Sequence, residues 1–461
     1  MSDIRVINGD CLQVMDDLAR EGVQVDSIVC DPPYHLTSIV KRFGKNGSAP
    51  AKVGATGAFA RASKGFMGKE WDGGDIAFRP ETWKKALRLL KPGGHLLAFS
   101  GDRTYGPMAW AIEQAGFDIR GCILDIVAHD TDFQNFIFSL NDEQLGLFVK
   151  LMETGAGMLA WTYGTGFPKS TNLAKLDPAH ADVLAGLGTA LKPSFEPVCI
   201  ARKPIGESSI AANVLKYGTG AFNIDACRIP YADAVDEAAA AAAAAAQRSC
   251  HDSPGRVRWG EPDRKNTGFQ DPEGSLANFM SNLSKGRWPA NIVHDGSAEV
   301  LAAFPRSDGQ SGAVTGAEPS ANTNNVYGQF GGRPASVLRG DRGSSARFYH
   351  SAKADADDRM GSKHPTVKPI DLMAWLVRLV TPKGGTVLDC FAGSGTTGIA
   401  ALREGCNAIL IEREPEYFKD IQTRIAHARG QGGHSAAVKM RHREQKTDDL
   451  PLFGAPKDAA E

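Results

Sequence analysis

Short apolar runs alternate with helix-period segments at both ends of the chain. Ile4–Gly9 (IRVING) reads as a strand ending at Gly9-Asp10-Cys11, Val14–Leu18 starts a short helix, and Val25–Cys30 (VDSIVC) reads as a buried strand. Pro80–Leu90 then reads as a helix, Lys91-Pro92-Gly93-Gly94 as a break, and His95–Ser100 as a second buried strand. Tyr105–Ala115 is helical in period with Gly116 as its stop, Phe117–Val127 has strand character, and so does Met158–Tyr163. The rhythm resumes after His364. Residues 370–380 form an amphipathic helix, Thr386–Phe391 a strand, Ala392–Thr397 a Gly-rich turn and Gly398–Arg403 a helix. Asn407–Ile411 follows as a strand and Tyr417–Arg429 as a last helix. Such a βαβ rhythm implies an α/β protein with a largely parallel sheet.

Between these ends the pattern breaks down. Residues 128–158 carry helical periodicity around Leu145–Met152 and read as an insertion. From 171 to 350, turns, polar stretches and isolated aromatics dominate, and Ala238–Ala246 is an alanine run that reads as a spacer. The expected organisation is a catalytic half at 1–170, an irregular region at 171–350, a cofactor half at 351–430 and a disordered tail at 431–461.

Composition narrows this only locally. The 461 residues are 42% hydrophobic and 23% charged, which is ordinary for a globular protein able to bury a full core. A formal net charge of -1 gives no global attraction to a polyanion, so any such site must be local. Two stretches qualify. His35–Lys69 holds Lys41, Arg42, Lys45, Lys52, Arg61, Lys64 and Lys69 with no acid, and Gly331–Arg347 holds Arg333, Arg339, Arg342 and Arg347 against Asp341. The 8 Cys are scattered singly with no C-x-x-C pair, so neither a metal ribbon nor a disulfide scaffold is expected. The N-terminus has no apolar h-region and no apolar run has membrane-spanning length, which makes a reducing cytoplasm the expected compartment.

Two short stretches carry chemistry. Asp31-Pro32-Pro33-Tyr34 follows a buried strand, where ligands sit in open α/β sheets. Its prolines remove two N–H donors and stiffen the chain, leaving a carboxylate, bare carbonyls and an aromatic face. That corner suits a ligand group that donates hydrogens, such as an exocyclic amine; a simple strand-ending turn explains the same residues equally well. The second stretch, Gly393-Ser394-Gly395-Thr396-Thr397-Gly398, is G-x-G-x-x-G between a strand and a helix. Its glycines let a ligand approach the backbone, and Glu412, one strand later, suits ribose hydroxyls. An adenosine-type cofactor follows. Only one βαβ unit comes after the glycines, which weakens a dinucleotide reading.

Together, Asp31-Pro32-Pro33-Tyr34 and Phe391-Ala392-Gly393-Ser394-Gly395-Thr396 resemble the DPPY and FxGxGT motifs of the S-adenosylmethionine-dependent amino-methyltransferases of DNA. The order, DPPY first and FxGxGT last, resembles the β group, and His364-Pro365-Thr366-Val367-Lys368-Pro369 is similar to its HPT(x)KP segment. Trp161–Ser170 and Arg287-Trp288-Pro289-Ala290-Asn291 are similar to segments of phage-encoded members. The resemblance implies a Rossmann-like mixed sheet with one antiparallel edge strand, helices on both faces and an inserted target-recognition region. It implies S-adenosylmethionine as cofactor, held by Asp10, Cys11, His364, Thr366, Lys368, Asp389, Phe391, Gly393, Gly395, Thr396 and Glu412. It also implies site-specific methylation of adenine N6 in double-stranded DNA, with the base flipped out of the helix. Asp31 and the Pro32 carbonyl would accept the two amino hydrogens, with Pro33 stiffening the corner, and Tyr34 would stack on the base. Lys41, Arg42, Lys45, Phe167, Lys169, Arg333 and Arg339 are the expected DNA contacts, and Trp161 and Tyr163 are either further base contacts or core aromatics.

Three other readings stay open: methylation of cytosine N4, a NAD-dependent oxidoreductase using the same glycines, and a non-catalytic DNA-binding subunit. The tail segment Leu450-Pro451-Leu452-Phe453 loosely resembles motifs that dock on sliding clamps, without their glutamine. A homodimer and a restriction partner are also left open.

Overall fold

Helix α1 (Cys11–Arg20) shows how the sequence sets its elements. Asp10 caps it, with Oδ1 accepting from the Leu12 N–H at 2.9 Å, and Cys11, Val14, Met15 and Leu18 form its buried stripe. Strand β2 (Val25–Cys30) is buried at all six positions, as an unbroken apolar run in a sheet covered on both faces requires. The structure, a computed structural model, describes residues 2–34, 75–119, 157–164, 173–241, 285–307, 323–325, 328–330, 343–352, 356–362 and 364–430. Outside the described residues lie the basic stretch with Lys41, Arg42 and Lys45, and the insertion up to 156. So do Phe167, Lys169, Arg333, Arg339 and Leu450–Phe453. Among the described residues no helix is long and apolar enough to cross a membrane.

One ten-stranded sheet organises the chain. Its strands, besides β2, are β1 (Ile4–Asn8), β3 (Leu90–Phe99), β4 (Asp118–Ile119), β5 (Met158–Thr162), β6 (Phe195–Arg202), β7 (Ile292–His294), β8 (His350–Ser351), β9 (Thr386–Asp389) and β10 (Asn407–Glu412). The order is β1-β10-β9-β2-β3-β6-β5-β7-β8, with β4 pairing β6 off this path. The sheet is mixed and largely parallel. Only β6 runs the other way, antiparallel to β3, β4 and β5. This reversed strand lies inside the sheet rather than at its edge, because β5, β7 and β8 extend the sheet beyond it. Two of these strands, β6 and β7, fall in 171–350, where the sequence pattern shows no βαβ rhythm, and β8 starts at its end.

Lys91–Gly94 corrects another expectation. The stretch does not break the chain but belongs to β3. Its backbone is paired on the β6 side, with the Gly93 N–H donating to Pro204 and the Lys203 N–H donating to the Gly94 carbonyl. Gly93 takes φ +78°, which a side chain would resist, so the strand starts through an irregular turn.

Each face has its own core. On one, helix α5 (Ile370–Val380) buries nine residues, among them Trp375, against Val29, Phe99, Val198 and Val293. On the other, α1, α2 (Pro80–Leu89) and α3 (Tyr105–Gln114) cover Ile28, Leu96 and Ile409, with Trp83 and Met15 fully buried. Side chains alternate across a strand, so Val29, Asp31, Phe99 and Glu196 belong to the α5 face. Helix α4 (Ile210–Tyr217) packs on β3, and α6 (Thr396–Glu404) and α7 (Pro415–Gly430) follow α5 in the chain.

Candidate active site

A cavity of about 690 Å³ opens along the carboxyl ends of β1, β2, β9 and β10, where ligands collect in this class of sheet. At one end it is walled by Asp10, Cys11, Asp389, Phe391, Gly393 and Glu412. Asp31, Pro32, Pro33 and Tyr34 line its middle, together with His364, Thr366 and Lys368. Trp161, Tyr163, Phe195 and Glu196 line the far end. Residues distant in the sequence thus share one volume.

The first end is rich in acceptors. Glu412 accepts the Gly393 N–H at 2.7 Å and the Glu414 N–H at 2.8 Å. Burial raises its pKa, and those two donors only partly oppose the shift. Asp389 accepts the Phe391 N–H at 3.0 Å and the Thr397 hydroxyl at 2.5 Å, yet burial pushes it up to about 7. With Asp10, Phe391 and Ile411 also in the lining, this end suits a flat group bearing hydroxyl and amine donors. An adenosine-type cofactor fits it.

The glycines do different work from one another. Gly393 lines the cavity with φ +52°, and a Cβ there would lie 3.2 Å from His364 Nε2. Gly395 is not part of the lining. It has φ +74°, and a Cβ would stand 2.8 Å from Ile421 Cγ2, so its role is to let α7 approach the turn. Arg424, fully buried on α7, donates to the Ser394 and Asp358 carbonyls and to the Thr396 hydroxyl, tying the turn down. Thr396 starts α6 and lines the cavity. His364 packs edge-on against Tyr417 at 4.3 Å, its Nδ1 lies 2.9 Å from the Thr366 carbonyl, and burial lowers its pKa.

The Asp31 corner is not a bare turn. The Tyr34 hydroxyl stands 2.8 Å from Asp31 Oδ1, and the Lys368 ammonium stands 2.9 Å from Asp31 Oδ2. Lys368, one of the residues expected to hold the cofactor, lines the cavity with its ammonium at the Asp31 corner, 4.7 Å from the centre of the Phe99 ring. Burial opposes its charge, but Asp31 and Glu196 outweigh that and hold its pKa above the ordinary lysine value. Tyr34 was expected to offer a ring to the base. It is half-buried against the α5-face core, and its hydroxyl is committed to carboxylates. Trp161 is in the core, Tyr163 packs on it with centroids 5.2 Å apart, and both line the cavity.

Glu196 is the site residue that sequence reasoning misses. Its position follows from the reversed direction of β6, whose first residues lie at the edge where the parallel strands end. Arg347, counted in the second basic stretch, is an internal brace: its Nε lies 3.2 Å from Asp236, which also receives both arms of Arg287.

A Rossmann-like mixed sheet with an acceptor-rich cavity at the carboxyl ends of its strands and a Gly-rich turn in its wall is the frame of a nucleotide-cofactor enzyme. The DNA methylase (N6/N4 methyltransferase) family model matches residues 25–423, and the chain belongs to that family. It is 51% identical over 69 residues to the type II methyltransferase M.BglI of Bacillus subtilis and 41% identical over 68 residues to M2.DpnII of Streptococcus pneumoniae. These stretches are 14% and 15% of this chain and span 20% and 25% of the relatives' lengths. Among solved structures, the M1.HpyAVI–SAM complex aligns over 92% of this chain and 98% of its own, with 13% identity and a TM-score of 0.37.

Proposed function

We propose that this chain transfers the methyl group of S-adenosylmethionine to the N6 amino group of adenine in double-stranded DNA, acting on a flipped base. The observation that carries this reading is the single cavity shared by Asp31 and the cofactor-type lining of Asp10, Gly393 and Glu412. Membership of the DNA methylase family agrees with it. The relatives that share short segments with it are type II methyltransferases, so a restriction-modification setting is part of the proposal.

The cofactor supplies a methyl group on a positively charged sulfur. The protein's task is to present the amine. An adenine amino nitrogen is a weak nucleophile because its lone pair is delocalised into the ring. Asp31 accepts one amino hydrogen and the Pro32 carbonyl the other, which draws the nitrogen toward tetrahedral geometry and aims its lone pair. Tyr34 and Lys368 each contact one oxygen of Asp31 and fix the carboxylate's plane. Asp10 and Glu412 hold the nucleoside part of the cofactor. Cytosine N4 offers the same amino chemistry; the Asp at the head of the tetrapeptide favours adenine.

The decisive experiment incubates unmethylated DNA with labelled cofactor and identifies the modified nucleoside after digestion. N6-methyladenine is expected, and N4-methylcytosine would transfer the reading to the other base. Asp31→Ala should abolish transfer while labelled cofactor still binds. Retained transfer would remove Asp31 from the mechanism.

A further inference from the structure

One carboxylate in the cavity wall, Glu196, has no part in the chemistry described above. Its Oε2 lies 2.8 Å from the Lys368 ammonium and 3.1 Å from the Tyr34 hydroxyl. These are the two donors that reach Asp31, and they lie 3.1 Å from each other. The ammonium donates to both carboxylates and to the Tyr34 oxygen, while the single Tyr34 proton lies nearer Asp31 and is shared with Glu196, so the four groups close a ring.

The ring has a mechanical consequence. A lysine ammonium on a four-carbon stem is a mobile point charge when one acceptor holds it. A second acceptor on a rigid element fixes it. Glu196 is such an acceptor: it stands on β6, paired in register with Trp161 on β5, and is followed by Pro197. Lys368 leads into α5, and Tyr34 lies three residues after Asp31, so Glu196 ties both to the sheet.

We propose that Glu196 is a positioning residue for amino-methyl transfer, holding the Tyr34 hydroxyl and the Lys368 ammonium where they orient Asp31. This rests on the functional reading above. In this role Glu196 acts through its two donors, Lys368 and Tyr34, rather than on the base or the cofactor itself.

The test uses the full chain and single-turnover methyl transfer. Glu196→Gln should slow transfer about 10- to 100-fold, the scale of one or two charge-assisted hydrogen bonds. Affinity for S-adenosylhomocysteine, read by calorimetry, should change by less than about twofold. In a Lys368→Met, Tyr34→Phe background the same substitution should change the rate by less than about twofold, because the groups through which it acts are gone. An undiminished further loss there overturns the inference, as does full activity in E196Q alone. If E196Q does not fold, Glu196→Asp keeps the charge but shortens the reach; it should show the same loss in rate with preserved affinity, and full activity in it overturns the inference. An unaltered protein that binds S-adenosylhomocysteine but methylates no amino group overturns the functional reading and this inference together.

Discussion

The Lys368 ammonium lies 2.9 Å from Asp31 Oδ2, joining the loop after β2 to the segment that leads into α5. The lysine is 8% exposed and the pair forms part of the cavity wall. Without Lys368, Asp31 and Glu196 would face the cavity with no cation between them.

Lys368→Met should therefore destabilise the protein by about 3 kcal/mol, the scale for removing one partner of a buried pair. Denaturant unfolding reads this directly. Methyl transfer should fall much further than cofactor affinity. A variant that loses affinity first would return Lys368 to the cofactor site.

The Gly-rich turn separates backbone strain from packing. Gly395→Ala meets Ile421 at 2.8 Å in a left-handed conformation, whereas Gly405→Ala, at φ +69°, meets nothing within 4 Å. Gly405→Ala should lose about 1 kcal/mol from strain alone, and Gly395→Ala about 1–3 kcal/mol more from overpacking. Thermal unfolding of the two variants measures the difference. Equal losses would show that α7 yields to the added methyl.

Arg424 is 1% exposed, and its guanidinium joins the Ser394 carbonyl in the turn to the Asp358 carbonyl on the segment before α5. Burial pulls its pKa down to about 10, so it is held charged at considerable desolvation cost. Arg424→Met keeps the stem but strands the Ser394 and Asp358 carbonyls. A loss of about 2–4 kcal/mol is expected from unmade buried hydrogen bonds. Cofactor affinity, measured by calorimetry, should weaken with it because Ser394 belongs to the cavity lining.

The two motif stretches were legible because each is local. An apolar run closed by Asp31-Pro32-Pro33, and glycines between β9 and α6, announce themselves within a dozen residues. What was not legible is set by direction and partner. Glu196 opens a strand, and the rule that sites lie at carboxyl ends passes over it; only the antiparallel pairing of β6 brings it to the same edge. The strands β7 and β8, of three and two residues, are too short to carry a period. Lys91–Gly94 has the chemistry of a break, but the pairing of Gly93 with Pro204 and of Gly94 with Lys203 draws it into β3. The role of Gly395 depends on Ile421, on a helix that follows the next strand.

Asp389 makes stability depend on pH in a stated direction. Its carboxyl, ordinarily near 3.8, is pushed up to about 7 by burial, with Asp31 and Glu412 adding to the shift against the Thr397 and Phe391 donors. Between these values the folded chain holds a proton that the unfolded chain has released. The unfolding free energy therefore falls as pH rises through this window, since its slope follows the protons bound in the unfolded state minus those in the folded state. The contribution is full below 3.8 and gone above about 7. Asp358, raised to about 6 by burial, adds the same sign. Asp389→Asn removes the first of these and leaves the second. Urea midpoints taken at about pH 5 and about pH 8 should accordingly drop less in the variant than in the unaltered protein. Equal drops would mean that Asp389 is already ionised at the lower pH and that its two donors, not its burial, govern the site.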